Sequence, residues 1–201
     1  MSSDRGIPSL SYRRLAGREL DLVLTLDFDV EQVERYLGPL RDIIDTVRRG
    51  PAHQLVGIEE GGALVGFFAI HPDRRDASRW WLGWFGIDRS RQGGGRGARV
   101  VAAIMARLRQ IPACREVRLL VAPDNESALR LYRRAGFVLR GLASQTNELV
   151  MRCVLPAQRP LGEVPAYFWA NAILIEVVDA RTCRMGVPVA AQLHGEVAHP
   201  P

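Results

Sequence analysis

The stretch that most constrains this chain is Gln92-Gly93-Gly94-Gly95-Arg96-Gly97-Ala98. It stands between the apolar, aromatic run Arg79–Asp88 and a segment whose apolar residues recur at Val101, Ile104, Met105 and Leu108. That recurrence marks one face of a helix, and the run before the glycines reads as a central strand. Consecutive glycines let the backbone turn with its N–H groups inward, and a helix start carries unpaired donors and about half a positive charge. A strand, a glycine turn and a helix in this order can cradle phosphate oxygens. Arg89, Arg91, Arg96 and Arg99 crowd the same turn. A flexible surface loop with solvated charges accounts for the glycines equally well, so the turn needs support from elsewhere in the chain.

The residues on either side supply the rest of a domain. Leu10–Leu15 reads as a short strand, and Arg18–Arg49 as helical, divided at Gly38-Pro39 and closed by Gly50-Pro51. Gln54–Glu59 and Ala63–Ile70 form a strand pair around Glu60-Gly61-Gly62, a hairpin signal. After the glycine turn come a strand at Glu116–Ala122, a helix at Asn125–Arg134 and strands at Phe137–Arg140 and Glu148–Leu155. The order predicts one mixed α/β domain of the α+β kind over residues 1–155. Pro156, Pro160 and Pro165 then open a C-terminal extension, 156–201, whose apolar stretch Ala166–Val178 is expected to pack on the domain or to join two copies in a homodimer.

Charge narrows the partners. Every one of the 27 basic residues is arginine. With no lysine, a Walker A loop and any lysine Schiff base are excluded. Residues 72–140 hold 15 arginines against 6 acids, a net +9, while the flanks carry −3 and −1. An anionic partner handled at the centre is implied, either nucleic acid or a phosphate-bearing small molecule. Three scattered cysteines, Cys114, Cys153 and Cys183, give neither a disulfide framework nor metal-ligand spacing, so no metal is expected. The N-terminus lacks an apolar signal core, and no run approaches the roughly 18 apolar residues of a membrane span. The expectation is a cytoplasmic protein with no membrane partner.

Two phosphate-loop patterns fit the turn. Gly93-x-Gly95-x-x-Ala98 satisfies a dinucleotide fingerprint, but that fold opens a parallel sheet and ends its next strand on an acid. Glu116 lies at the right distance yet begins its strand, so this reading is disfavoured. The second pattern is Gln92-x-x-Gly95-x-Gly97, followed by Asn125-x-x-Ala128-x-x-Leu131-Tyr132-x-x-x-Gly136-Phe137. On these two linked motifs the chain resembles the GNAT N-acetyltransferase superfamily over roughly residues 10–155. Trp81-Leu82, Phe85-x-Ile87-Asp88, Gln92-Gly93 and Glu148-x-Val150-Met151 are similar to its polyamine or diamine branch. The chain departs from that branch at Gly83-Trp84, where the branch carries Trp-Arg.

The resemblance implies a mostly antiparallel mixed sheet flanked by helices, acetyl-CoA as acyl donor, and a small primary amine such as a polyamine as acceptor. It implies that Gln92 and the backbone of Gly93, Gly94, Gly95, Arg96, Gly97 and Ala98 hold the pyrophosphate. Phe85 and Ile87 would pair with the pantetheine amides, and Asn125 would meet the same arm. Asn125, Ala128 and Tyr132 stand at i, i+3 and i+7, on one helix face over about 10.5 Å of rise. Tyr132 can therefore reach the sulfur, and a phenol of pKa about 10 can protonate a thiolate whose thiol is near 8.5.

Asp88, Glu148 and His71 are candidates for removing the amine proton, and Trp80, Trp81 and Trp84 are candidates for an acceptor pocket or for core packing. Other readings are a protein-acceptor acetyltransferase and a non-catalytic acyl-CoA-binding sensor. Nucleic-acid binding ranks last, because between Arg89 and Arg134 Tyr132 is the one aromatic interleaved with the arginines.

Overall fold

The computed structural model describes residues 9–50 and 52–156; apart from Pro156, the extension read at 156–201 lies outside the described residues. The elements are strand β1 (Leu10–Arg14), a 3₁₀ segment (Gly17–Thr25), a short helix α1 (Val30–Gln32) that runs on as a π-helical turn (Val33–Leu37), and helix α2 (Leu40–Arg49). Strands β2 (Gln54–Glu60), β3 (Ala63–Pro72) and β4 (Arg79–Ile87) follow. Then come α3 (Arg96–Arg109), β5 (Glu116–Val121), α4 (Glu126–Arg134), β6 (Val138–Ala143) and β7 (Glu148–Val154).

The strands make a seven-stranded sheet in the order β1-β2-β3-β4-β5-β7-β6. All neighbours are antiparallel except β4 and β5. The mixed, mostly antiparallel sheet flanked by helices is the fold expected from the sequence. All seven strands fall where the apolar runs and turn residues put them, with ends shifted by up to three residues.

The two faces carry separate cores. On one, Val100, Val101, Ile104, Met105 and Leu108 of α3 and Leu129 and Tyr132 of α4 pack on Ile58, Phe68, Trp80 and Leu82. On the other, Ile43 and Ile44 of α2 and Leu20 and Val23 of the 3₁₀ segment pack on Leu55, Phe67, Ala69 and Trp84.

The segment before α2 differs from its expected helix. Gly38 does break it, with φ +78°, and Pro39 starts α2. Upstream, however, Leu26 is extended and Asp29 caps a new start by accepting from the Glu31 N–H. Asp27 and Asp29 flank Phe28, and short acids favour caps over helix interiors, which is why one periodic run becomes two short pieces.

Strand β4 carries an extra residue. Phe68 pairs with Phe85 but Ile70 pairs with Leu82, so Ala69 faces both Gly83 and Trp84. This β-bulge reverses the alternation. Trp80 and Leu82 point to the α3 face, whereas Trp84 points to the α2 face; beyond it Phe85 and Ile87 pack on the α3 side again.

Candidate active site

The parallel pairing of β4 with β5 covers only Arg79–Leu82 against Glu116–Leu119. Strand β4 continues to Ile87 and bonds β3 on its other side, so beyond Leu82 the edge turned toward β5 offers free backbone donors and acceptors. A cleft of about 320 Å³ opens there. Phe85 and Ile87 form its floor, Gln92, Gly93 and Gly97 close one end, and Asn125, Ala128 and Tyr132 of α4 stand along one wall.

The glycine turn meets the requirements of a phosphate cradle. Gly93, Gly94 and Gly95 have φ of +81°, +56° and +72°, a left-handed succession that side-chain-bearing residues adopt at a cost. Gly95 is the N-cap of α3; the Arg96 N–H donates to the Gly93 carbonyl at 3.2 Å, which leaves the Gly97 and Ala98 N–H groups as the first-turn donors for a ligand. A Cβ at Gly97 would lie 3.4 Å from Leu131, so this glycine lets α3 approach α4 closely.

Several expected site residues have partners of their own. The Gln92 amide nitrogen donates to Gln32 Oε1 and to the Ile87 carbonyl, both at 3.0 Å, which ties the turn to β4 and to α1. The Arg96 guanidinium forms two 3.0 Å hydrogen bonds to the Glu60 carboxylate, and Arg91 and Arg99 stand 3.7 and 3.8 Å from the same group. Glu60 is held below the ordinary carboxylate range, chiefly by the hydrogen bonds from Arg96. The positive charge around the turn is therefore balanced in part by an acid from β2 and is not wholly directed at a ligand. Ala98, Gly94 and Gly95 lie on the turn outside the cleft lining.

Asn125 Oδ1 accepts from the Ala128 N–H at 3.1 Å and from the Ser127 hydroxyl at 3.0 Å, so it caps α4 while lining the cleft. The Tyr132 ring is buried, its centroid 5.8 Å from that of Phe137 in an edge-on contact.

The three candidates for the base separate. Asp88 accepts from the Asp27 N–H at 2.8 Å, the Ser90 N–H at 2.9 Å and the Ser90 hydroxyl at 2.6 Å. The Ser90 hydroxyl leads in holding its carboxyl below the usual range. Asp88 is a loop cap and does not line the cleft. His71 is fully buried, its Nδ1 2.9 Å from the Pro72 carbonyl, and burial pushes its pKa down to about 4. Its ring stacks at a tilt 4.5 Å from His53, which burial and His71 depress to about 3. Both imidazoles are uncharged near neutral pH. Glu148, 4% exposed at the start of β7, lines a recess of about 270 Å³ with Arg35, Thr146 and Asn147. That recess shares Ala122 with the main cleft.

Sequence reasoning named Trp81 and Trp84 as acceptor-pocket candidates but missed the rest of the opposite wall. Gln32, Tyr36 and Leu37 reach the cleft from α1 and the π-helical turn, and Trp81 and Trp84 complete an aromatic rim. Trp81 Nε1 donates to Asp73 at 2.8 Å, and the Trp84 ring lies 5.9 Å from His53. Arg35 is paired with Asp124, which bridges this wall to the residue before Asn125. The aromatics were visible in the sequence, but their sidedness depended on the bulge.

The fold is shared with solved acetyltransferases. Aminoglycoside acetyltransferase AAC(6')-Ib with coenzyme A and kanamycin matches with a TM-score of 0.62 at 17% identity, over 73% of this chain and 95% of that one. Spermidine N-acetyltransferase from Vibrio cholerae with CoA and spermine matches with a TM-score of 0.59 at 18% identity, over 72% and 95%. The family model for acetyltransferases of the GNAT family matches residues 20–137, and the chain belongs to that family. It is also 30% identical over 132 residues, 63% of this chain and 87% of the relative, to the spermine/spermidine N(1)-acetyltransferase of Bacillus subtilis (strain 168). A probable spermine N(1)-acetyltransferase of Bacillus subtilis subsp. natto (strain BEST195) matches over the same extent. The chain is thus an N-acetyltransferase with acetyl-CoA as its acyl donor.

Proposed function

We propose that the protein transfers the acetyl group of acetyl-CoA to a primary amine of a small molecule, with a polyamine as the first candidate. The observation that carries this reading is the free edge of β4, open into a cleft that runs from the Gly93–Gly97 turn to Tyr132. The B. subtilis relatives are named for spermine and spermidine, which supports a polyamine.

In this reading the thioester supplies the acetyl group, and the chain supplies position and protons. The backbone of Gly93–Ala98 binds the pyrophosphate at the start of α3. Alternate amides of Gly83–Ile87 hold the pantetheine arm as a neighbouring strand would, and one of them donates to the carbonyl oxygen as negative charge builds there. Asn125 meets the arm with its amide nitrogen, since its oxygen caps α4. The amine nitrogen forms the new C–N bond as the C–S bond breaks, and Tyr132 gives its phenolic proton to the leaving sulfur. Tyr36, Trp81 and Trp84 hold the body of the amine, where an ammonium group gains from an aromatic face. Glu148, next to the cleft, attracts the cationic acceptor and is the remaining carboxylate candidate for the amine proton. The site of action is the cytoplasm, in keeping with the free, buried Cys114 and Cys153.

The test is amine-dependent release of free thiol from acetyl-CoA, with polyamines, aminoglycosides and amino acids as acceptors and the acetylated product identified by mass. Release that tracks one amine class supports the reading. Saturable acetyl-CoA binding with no turnover on any amine would turn it toward a sensor.

A further inference from the structure

The sheet ends on a strand that nothing described covers. In β6, Val138, Leu139 and Leu142 are 57%, 59% and 56% exposed, and Val154 of the neighbouring β7 is 61% exposed. Leu139 and Leu142 pair with Met151 and Leu149, which belong to the core on the α3 side. Val138 pairs with Arg152, whose Nη1 lies 3.3 Å from Glu116 on the other face. The strand is therefore apolar toward both faces, and the edge away from β7 carries unpaired N–H and C=O groups. Edge strands are ordinarily kept short, charged or covered. Here the protection is one bulge between Leu139 and Gly141, which holds Arg140.

We propose that this edge is occupied by the chain's own C-terminal extension, with part of Ala166–Val178 pairing as an eighth strand along β6. Three observations select this occupant. Ile173-Leu174-Ile175-Glu176-Val177-Val178 is β-branched and apolar at alternate and intervening positions alike, so it offers apolar side chains to both faces, as β6 does. The described chain ends at Pro156, just past β7, whose end lies beside the start of β6 because Arg152 pairs with Val138. The path is also short. A strand on the free edge of β6 lies two strand spacings, roughly 9.6 Å, from β7, and residues 157–165 span up to roughly 30 Å when extended. An intramolecular strand at this effective concentration outcompetes a second molecule at ordinary protein levels.

The test uses the full chain in a Cys183→Ser background, with Leu139→Cys on the exposed side of β6 combined in turn with Leu174→Cys, Ile175→Cys and Glu176→Cys. After mild oxidation the proposal expects an intramolecular disulfide in at least one pair, with the protein monomeric at every concentration tested. A crosslink between two molecules overturns it and assigns the edge to a second copy. A Leu139→Cys thiol that stays freely alkylated in all three pairs overturns it as well. As a second measurement on an otherwise unaltered chain, Ile175→Pro should speed hydrogen exchange of the outward amides of β6 by about tenfold or more, because proline cannot pair there. Unchanged exchange contradicts the pairing.

Discussion

The two walls of the cleft are built on different principles. The wall proposed to hold the cofactor, made of β4, the glycine turn and α4, gathers residues close in sequence that are placed largely by backbone constraints. Gly93, Gly94 and Gly95 are there for their φ angles and Asn125 for its cap, and each constraint leaves a fixed spacing that can be read without a structure. The wall proposed to hold the acceptor draws Gln32, Tyr36 and Leu37 from one part of the chain and Trp81 and Trp84 from another. Its side chains meet only because a bulge reverses β4 and because Asp29 and Gly38 bound a short irregular helix. In the proposed reading, cofactor binding is written locally, whereas the choice of amine is written in tertiary packing.

That contrast can be broken by mutation. The largest effect is expected from Tyr132→Phe, which should lower turnover by about 10²- to 10⁴-fold while leaving acetyl-CoA affinity close to wild type. Steady-state kinetics with a parallel binding titration check this, and an unchanged rate would remove the phenol from proton transfer.

Next is an effect of acid on the side that seats Trp84. His53 and His71 are depressed to about 3 and about 4 in the folded protein, against 6.5 unfolded. Below pH 6.5 the unfolded chain therefore binds more protons than the folded one. The stability these buried neutral rings contribute is complete above 6.5 and is lost as pH falls toward 4 and then 3, by roughly 1.4 kcal/mol per pH unit for each histidine. Urea unfolding should show a loss of about 3 kcal/mol between pH 6.5 and 5, and His53→Phe should roughly halve that slope.

A smaller change is expected at the turn. Gly95→Val forces a β-branched residue to φ near +72°, and should raise the KM for acetyl-CoA by about 10- to 30-fold with the amine KM unaltered. The smallest belongs to the acceptor wall. Tyr36→Ala should raise the amine KM by about fivefold, corresponding to roughly 1 kcal/mol of contact with the cation, and leave acetyl-CoA binding unchanged. If the two variants moved the same KM, the division between walls would fail.

Much of the fold was legible because the strands are short apolar runs and the longer helices repeat near 3.6, bounded by glycine, proline and short polar residues. The α1 region was not, since Val30, Val33 and Leu37 keep a helical spacing while Asp27 and Asp29 interrupt it by capping. At the site, Phe85, Ile87, Gln92, Gly93, Asn125 and Tyr132 come together along one cleft. Asp88 illustrates what a sequence hides, because a carboxylate after a strand reads alike whether it faces a substrate or, as here, fastens Ser90 and Asp27. The central arginines were legible as charge but not as partners. Glu60 and Glu116, far from them or beside them in sequence, each pair with a group of three and balance it in part: Arg91, Arg96 and Arg99 at one end, and Arg79, Arg118 and Arg152 at the other.

The most direct test of the cofactor wall is an amide chemical-shift map of the full chain titrated with acetyl-CoA in the absence of amine. Saturable shifts concentrated at Gly83–Ile87, at Gly93–Ala98 and at the start of α4 are the predicted result. Saturable binding that leaves those amides unmoved, or that shifts the Glu116 network instead, would contradict it.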